Sequence, residues 1–285
     1  MNNHNIIICG EGHGLKCVFS GLISTGINFI LCSNDEEIIR EAKDKNIICV
    51  NHYIEAISSP KDIILTAGYK PIIPPEHLST AHFINIHYSL LPKYRGLHSI
   101  VWAMLNGEKN VGFTIHETTS LVDQGNILYQ ESAPVGNKSS WDLMLHFDRR
   151  VKEVISNVLT NYSNGSIKLN AQNEEDAIYV AKRNQEDCRI NWNEWNAVFF
   201  SRSLKALVKP YPLPYFIYKD KKIEILKAHI IQKDYLEING HIVNIDNEVI
   251  WVKIPKGILK ISKILIDGEE LNAVDYFKKP GARLS

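Results

Sequence analysis

Over its first hundred residues the chain alternates short apolar runs with longer amphipathic ones: NIIICG, KCVFSGLIST, INFILCS, DEEIIREAKDKN, IICV, DIILTAG and FINIHYS. Runs of the first kind suit strands buried on both faces, and the stretches between them suit helices that cover those faces. Strands joined through helices pair in parallel by right-handed crossovers. The alternation therefore predicts an α/β fold built on an open, mostly parallel, Rossmann-like sheet. In such sheets ligands bind outside the carboxyl ends of the strands, so the residues that follow each apolar run are the candidates for chemistry.

Further along, 139–163 opens with serines and repeats apolar residues at three- and four-residue intervals (Leu143, Phe147, Val151, Val154, Ile155, Val158), which predicts a long helix closing the first domain. Residues 165–187 are polar and irregular, as a surface connection would be. After a short helical stretch at 194–208, the segments KKIEILKAHII, HIVNI, EVIWVKI and GILKISKILI read as strands separated by turns. A catalytic domain over 1–190 and a small β-rich C-terminal module over 191–285, for substrate binding or oligomerisation, are the expectation. Edge strands in such a module could pair between subunits, giving a homodimer.

Charge narrows the partners. The 32 basic and 32 acidic residues cancel, so no whole-protein field recruits nucleic acid or an anionic membrane. The balance is uneven along the chain: residues 1–187 carry 16 basic against 21 acidic, and 188–285 carry 16 against 11. The C-terminal part thus favours a phosphorylated ligand. Five cysteines without a CxxC pair or partner histidines indicate neither a zinc site nor a disulfide framework. No signal-peptide pattern opens the sequence and no apolar run approaches the roughly 20 residues of a membrane helix, so a cytoplasmic protein is expected.

The richest chemistry lies in FINIHYSLLPKYRG at 83–96 and GFTIHETTSLVDQG at 112–125. Asn85 and His87 fall two apart at the carboxyl end of a strand, and so on one face of it. Acyl transfer to an amine needs a base for the ammonium proton and a donor for the oxyanion of the tetrahedral intermediate. His87 could be the first and Asn85 the second. Asp123 could orient the imidazole and, by favouring its charged form, raise its pKa toward the working pH. His116, after another strand, is equally well a packed, hydrogen-bonded residue, and Trp102 reads as core. Lys93 and Arg95 flank the loop and could meet a phosphate or simply be solvated. Gly10, Gly12 and Gly14 do not have dinucleotide spacing, no acid ends the second strand convincingly, since ILCSND places polar residues first, and tight strand-to-helix turning explains the glycines.

Asn85-Ile86-His87, then Ser89-Leu90-Leu91-Pro92-Lys93-Tyr94-Arg95-Gly96, then Gly112-Phe113-Thr114-Ile115-His116 and Asp123-Gln124-Gly125, resemble the signature of the folate-dependent formyltransferases, strongly over about 60–130. The resemblance implies N10-formyltetrahydrofolate as formyl donor, with Asn85 on the formyl oxygen, His87 on the amine proton and Asp123 positioning His87 or relaying the proton. It also implies a pterin slot on Tyr69, Lys70, Ile72 and Ile73, closed by Thr118, Leu121 and Val122. Lys70-Pro71 and the loop at 119–122 depart from commoner members of the family.

Within that family the tail, from Arg189-Ile190-Asn191-Trp192 through SRSLKALVKPYPLPYF, is similar to the carboxyl modules of the tRNA and nucleotide-sugar enzymes. Zero net charge, and no long basic insertion at 31–62, fit a tRNA acceptor poorly. A nucleotide-linked amino sugar, a dTDP-linked 3- or 4-amino-deoxysugar for bacterial surface polysaccharide, is the expected partner, with methionyl-tRNA the rival and no nucleic acid, membrane or metal called for. Lys93, Tyr94, Arg95, Lys209 and Tyr211 are the expected substrate contacts. Tyr215 and Trp192 could add an aromatic surface, or the whole VKPYPLPYF segment could be a proline-braced packing corner.

Overall fold

A computed structural model gives the fold, which is described for residues 4–285. The chain divides into two compact units. One comprises the residues up to Ile100 together with Asn110–Pro134 and Leu143–Ala181; the other comprises Val101–Lys109, Val135–Asp142 and Lys182–Ser285. The boundary expected at 190/191 thus lies at 181/182, and two short segments from the middle of the sequence fold with the C-terminal part.

The first unit is built around strands β1 (Ile6–Gly10), β2 (Ile30–Ser33), β3 (Cys49–Val50), β4 (Ile63–Ala67) and β5 (His82–His87), with helices α1 (Gly12–Thr25) and α2 (Glu36–Asp44) between the first three. These five strands are parallel, in spatial order β3-β2-β1-β4-β5. β4 is buried along its whole length, as a strand covered on both faces must be. α1 buries Leu15, Val18, Phe19 and Leu22, one apolar stripe at helical spacing, and ends at Gly26 in the left-handed conformation that closes helices. α2 begins at Asp35, whose carboxylate accepts from the amides of Glu37 and Ile38.

Past β5 come the two-residue strand β6 (Arg95–Gly96), helix α3 (Ser99–Asn106), and strands β7 (Asn110–Glu117) and β8 (Ile127–Pro134). β7 lies against β5 and β8 against β7, both antiparallel, completing a seven-stranded, mostly parallel sheet. Helix α4 (Ser140–Ser163) buries Leu143, Phe147, Val151, Ile155 and Val158, the stripe legible in the sequence. Strand β9 (Tyr179–Val180) pairs with β6.

The second unit holds α5 (Ala197–Ala206), strands β10 (Tyr215–Tyr218), β11 (Lys221–Ile231), β12 (Ile242–Ile245), β13 (Ile250–Ile254), β14 (Gly257–Ile266) and β15 (Glu269–Asn272), and the short helix α6 (Ala273–Tyr276). The sheet is antiparallel, ordered β10-β11-β14-β13-β12, with β15 paired to β14. Its isoleucine-rich strands bury one face with Phe200 and Trp192. The mostly parallel α/β sheet and the β-rich C-terminal module are both as the sequence predicts. Among the described residues no helix is long and apolar enough to cross a membrane.

Candidate active site

β5 and β7 together assemble the polar cluster. Their antiparallel register sets Asn85 opposite His116 and His87 opposite Thr114, and directly opposed side chains share a face of the sheet. Asn85, His87 and His116 therefore converge although they come from segments thirty residues apart. Asp123 follows β7 in a turn and reaches both histidines: its Oδ2 lies 3.5 Å from His87 Nδ1 and its Oδ1 lies 3.5 Å from His116 Nε2. The Gly96 amide donates to Asp123 Oδ2 at 2.8 Å.

Backbone carbonyls accept and never donate, and this fixes the protons. His87 Nε2 donates to the Tyr94 carbonyl at 2.8 Å, which leaves Nδ1 facing Asp123. His116 Nδ1 donates to the Glu117 carbonyl at 2.7 Å, so its Nε2 is free to accept from Asn85 Nδ2 at 3.3 Å. The Thr66 hydroxyl donates to Asn85 Oδ1 at 2.8 Å. The Asn85 amide is thereby oriented from both ends, with one N–H remaining.

Burial of His87 lowers its pKa from the ordinary 6.5, outweighing the Asp123 carboxylate and the Tyr94 carbonyl, which both act upward; nearby His116 adds to the lowering. Asp123 thus acts upward as the sequence suggested, but burial outweighs it: at neutral pH the imidazole is neutral, the form a base requires. For Asp123, burial acts upward but is overcome by the neighbouring His116, by His87 and by the Gly96 amide, and its carboxyl is held down at about 2. The carboxylate is ionised at every working pH.

Of the residues expected at a pterin slot, Ile72, Leu121 and Val122 are exposed, at 87%, 58% and 58%, unusual for large apolar side chains. Thr118 has a buried hydroxyl oxygen without a hydrogen-bond partner. Exposed apolar groups and an orphaned hydroxyl fit a planar ligand with a polar rim. Tyr69 and Ile73 instead pack in the apolar cluster with Tyr53, and Lys70 pairs with Glu11.

Among the expected substrate contacts, Lys93 is exposed, and Tyr94 is buried, contributing its carbonyl to His87. Arg95 requires a correction. It is 0% exposed, and its guanidinium donates to Gln172, Glu174 and Tyr179, leaving no N–H for a ligand. In the second unit, Lys209 and Tyr211 line a cavity of about 650 Å³ with Trp141, Gln185 and Glu224. Trp192 and Tyr215 lie in the core, 6% and 3% exposed, and the Tyr215 hydroxyl donates to Glu186; neither forms a docking surface.

Asp35 stands two residues beyond the end of β2. Its Oδ2 accepts the Gly12 amide at 3.1 Å while Oδ1 caps α2, so the protein's own carboxylate fills the position a phosphate would take at the glycine turn. Gly10 is required by proximity: a Cβ there would lie 1.8 Å from the Ala67 carbonyl oxygen.

Residues 24–161 match the Formyl transferase family, and residues 182–281 match the Formyl transferase, C-terminal domain family. The methionyl-tRNA formyltransferase of Clostridium acetobutylicum is 28% identical over 272 residues, covering 94% of this chain and 85% of that protein. That of Wigglesworthia glossinidia brevipalpis is 32% identical over 217 residues, 75% of this chain and 67% of that protein. Among solved structures, WlaRD, a sugar 3N-formyl transferase crystallised in the presence of dTDP and 5-N-formyl-THF, superimposes with a TM-score of 0.71 at 18% identity, over 93% of this chain and 98% of that one. The N-formyltransferase from Helicobacter canadensis, in complex with folinic acid and dTDP-3-aminofucose, gives 0.69 at 18%, over 90% and 98%. HypX from Aquifex aeolicus gives 0.67 at 16%; the alignment covers 96% of this chain, but this chain spans about half of HypX, 47%.

Proposed function

The chain belongs to the formyl transferase family, and from that premise we propose that it transfers the formyl group of N10-formyltetrahydrofolate to the amine of a nucleotide-linked amino-deoxysugar, using Asn85, His87 and Asp123. The convergence of those three side chains carries the reaction type. The formyl donor supplies an activated one-carbon acyl group. Thr118, Ile72, Leu121 and Val122 would hold its ring system, the first through an unpartnered hydroxyl and the others as apolar cover.

The remaining N–H of Asn85 donates where negative charge develops on the formyl oxygen, and Thr66 and His116 hold the amide so that this donor needs no reorganisation. His87 Nδ1 takes the proton of the attacking amine and would return it to the donor's nitrogen as the formyl carbon–nitrogen bond there breaks. Once protonated, the ring is a donor at both nitrogens, with the Tyr94 carbonyl on one side and the Asp123 carboxylate on the other. The charge that burial disfavours at rest is stabilised at the moment it is needed.

For the acceptor, the net charge of zero weighs most, because a tRNA ligand requires the neutralisation of several phosphates. Between β2 and β4 the chain forms α2, β3 and a short turn of helix, with no long basic loop. The cavity with Lys209, Trp141 and Tyr211 offers a cation beside aromatic edges, suited to a phosphate and a base. The rival acceptor, methionyl-tRNA, has the sequence relatives at 28% and 32% in its favour. Incubation with N10-formyltetrahydrofolate and a panel of nucleotide-linked amino sugars, read by mass increase, tests the proposal. Formylation of initiator methionyl-tRNA with no turnover on the sugar panel would reverse the assignment.

A further inference from the structure

Arg95 is a fully buried cation whose five N–H groups all have partners. Nε and Nη2 donate to Gln172 Oε1 at 3.1 and 2.7 Å, Nη1 and Nη2 to the two Glu174 oxygens at 2.8 and 2.7 Å, and Nη1 to the Tyr179 hydroxyl at 2.7 Å. With Oε1 fixed as the acceptor, the Gln172 amide nitrogen has one orientation. Its N–H groups donate to the carbonyls of Asp123 and Gly125, each at 2.8 Å. Asp123 itself has a φ of +53°, a left-handed conformation that a residue with a Cβ keeps only where its surroundings hold it. The residue after Arg95 supplies the last tie, since the Gly96 amide binds Asp123 Oδ2.

We infer that Arg95 and Gln172 are positioning residues that set the Asp123 carboxylate against His87. This rests on the role proposed above for Asp123. The guanidinium fork fixes the Gln172 amide, the amide clasps the carbonyls on either side of the strained turn, and the backbone next to Arg95 holds one carboxylate oxygen. A lysine at position 95 offers three donors at one point and no planar fork, so it cannot reproduce the arrangement.

The test is the NMR titration of the His87 imidazole in the full chain. Because Asp123 raises the His87 pKa against burial, Asp123→Asn moves the titration to lower pH. Arg95→Lys and Gln172→Ala move it in the same direction, and adding Gln172→Ala to Asp123→Asn moves it no further. On the acceptor identified by the sugar panel, both variants lose about tenfold or more in kcat with little change in KM, as misplacement of a catalytic group does. A His87 titration unmoved in both variants overturns the inference, and so does a raised KM at unchanged kcat, the mark of a substrate-binding arginine. Failure of the underlying reading looks different: Asp123→Asn would keep full formyl transfer whatever Arg95 and Gln172 do. If Arg95→Lys does not fold, Gln172→Ala at its half-buried position decides alone.

Discussion

His87 Nδ1 lies 3.5 Å from Asp123 Oδ2, close enough to feel the carboxylate and beyond a strong hydrogen bond. Burial keeps the imidazole neutral at rest, with a carboxylate beside the nitrogen proposed to take the amine proton. His87→Ala is expected to lower kcat by about 100-fold or more, in the range for a lost general base. In the wild type kcat/KM should fall with acid through a pKa below 6.5, because burial lowers that of His87. An acid limb centred above 6.5 would contradict the assignment.

Asn85 presents one N–H to His116, and under the proposed mechanism the other meets the reacting oxygen. Asn85→Ala should cost about 10²- to 10³-fold in kcat, as loss of one oxyanion donor does. Asn85→Asp should be worse, because it puts an anion where the proposed mechanism develops negative charge. Single-turnover kinetics with saturating formyl donor separates this effect from weakened binding.

How much of this was legible in advance follows the distance along the chain over which each feature is determined. Asn85 and His87 share a face because strand geometry alternates every residue, so the pair could be read locally. His116 and Thr66 could not be placed with Asn85, since that requires the register of β7 and β4 against β5. Arg95 read as a ligand contact because its partners, Gln172, Glu174 and Tyr179, lie about eighty residues away. Trp192 beside a proline-rich segment suggested a surface, whereas the β-rich sheet buries it against Phe200 and Phe216. Strand and helix identities were well marked by apolar periodicity. The antiparallel edge formed by β7 and β8 was not, because helix-linked alternation stops at β5.

Gly125 is a candidate for a packing test. A Cβ there would stand 1.8 Å from the Glu117 carbonyl oxygen, which is backbone and cannot swing away. Gly125→Ala should destabilise the protein by about 1–3 kcal/mol, as forced overpacking does. Urea denaturation measures the loss; an unchanged midpoint would show that the turn yields freely.

In the second unit, Trp192 buries an indole N–H with no partner. Trp192→Phe removes that orphan donor along with some volume, so its cost should stay within about 1.5 kcal/mol, while Phe200→Ala in the same core should cost about 3–5 kcal/mol. Equal losses in chemical denaturation would mean that the indole nitrogen has found a partner.

Acid should weaken the fold in two separate windows. The unfolded chain protonates its imidazole near 6.5 and the folded His87 only lower down, so stability present above 6.5 is lost as pH falls toward the folded value. Asp123, held at about 2 against an ordinary 3.8, contributes stability above 3.8 that is lost as pH falls toward 2. His87→Gln should flatten the first window and narrow the second, because the His87 charge helps hold the Asp123 carboxyl down, as followed by urea unfolding from pH 8 to pH 2.

The C-terminal unit gathers Val101–Lys109 and Val135–Asp142 from within the sequence of the other unit. It is woven in rather than appended, so the gene contains no single seam at which this half could be exchanged with that of a relative. A chimera joined only at 181/182 would leave Val101–Lys109 and Val135–Asp142 from one parent in a unit otherwise taken from the other. Recombination that keeps this unit whole must carry three stretches of coding sequence together.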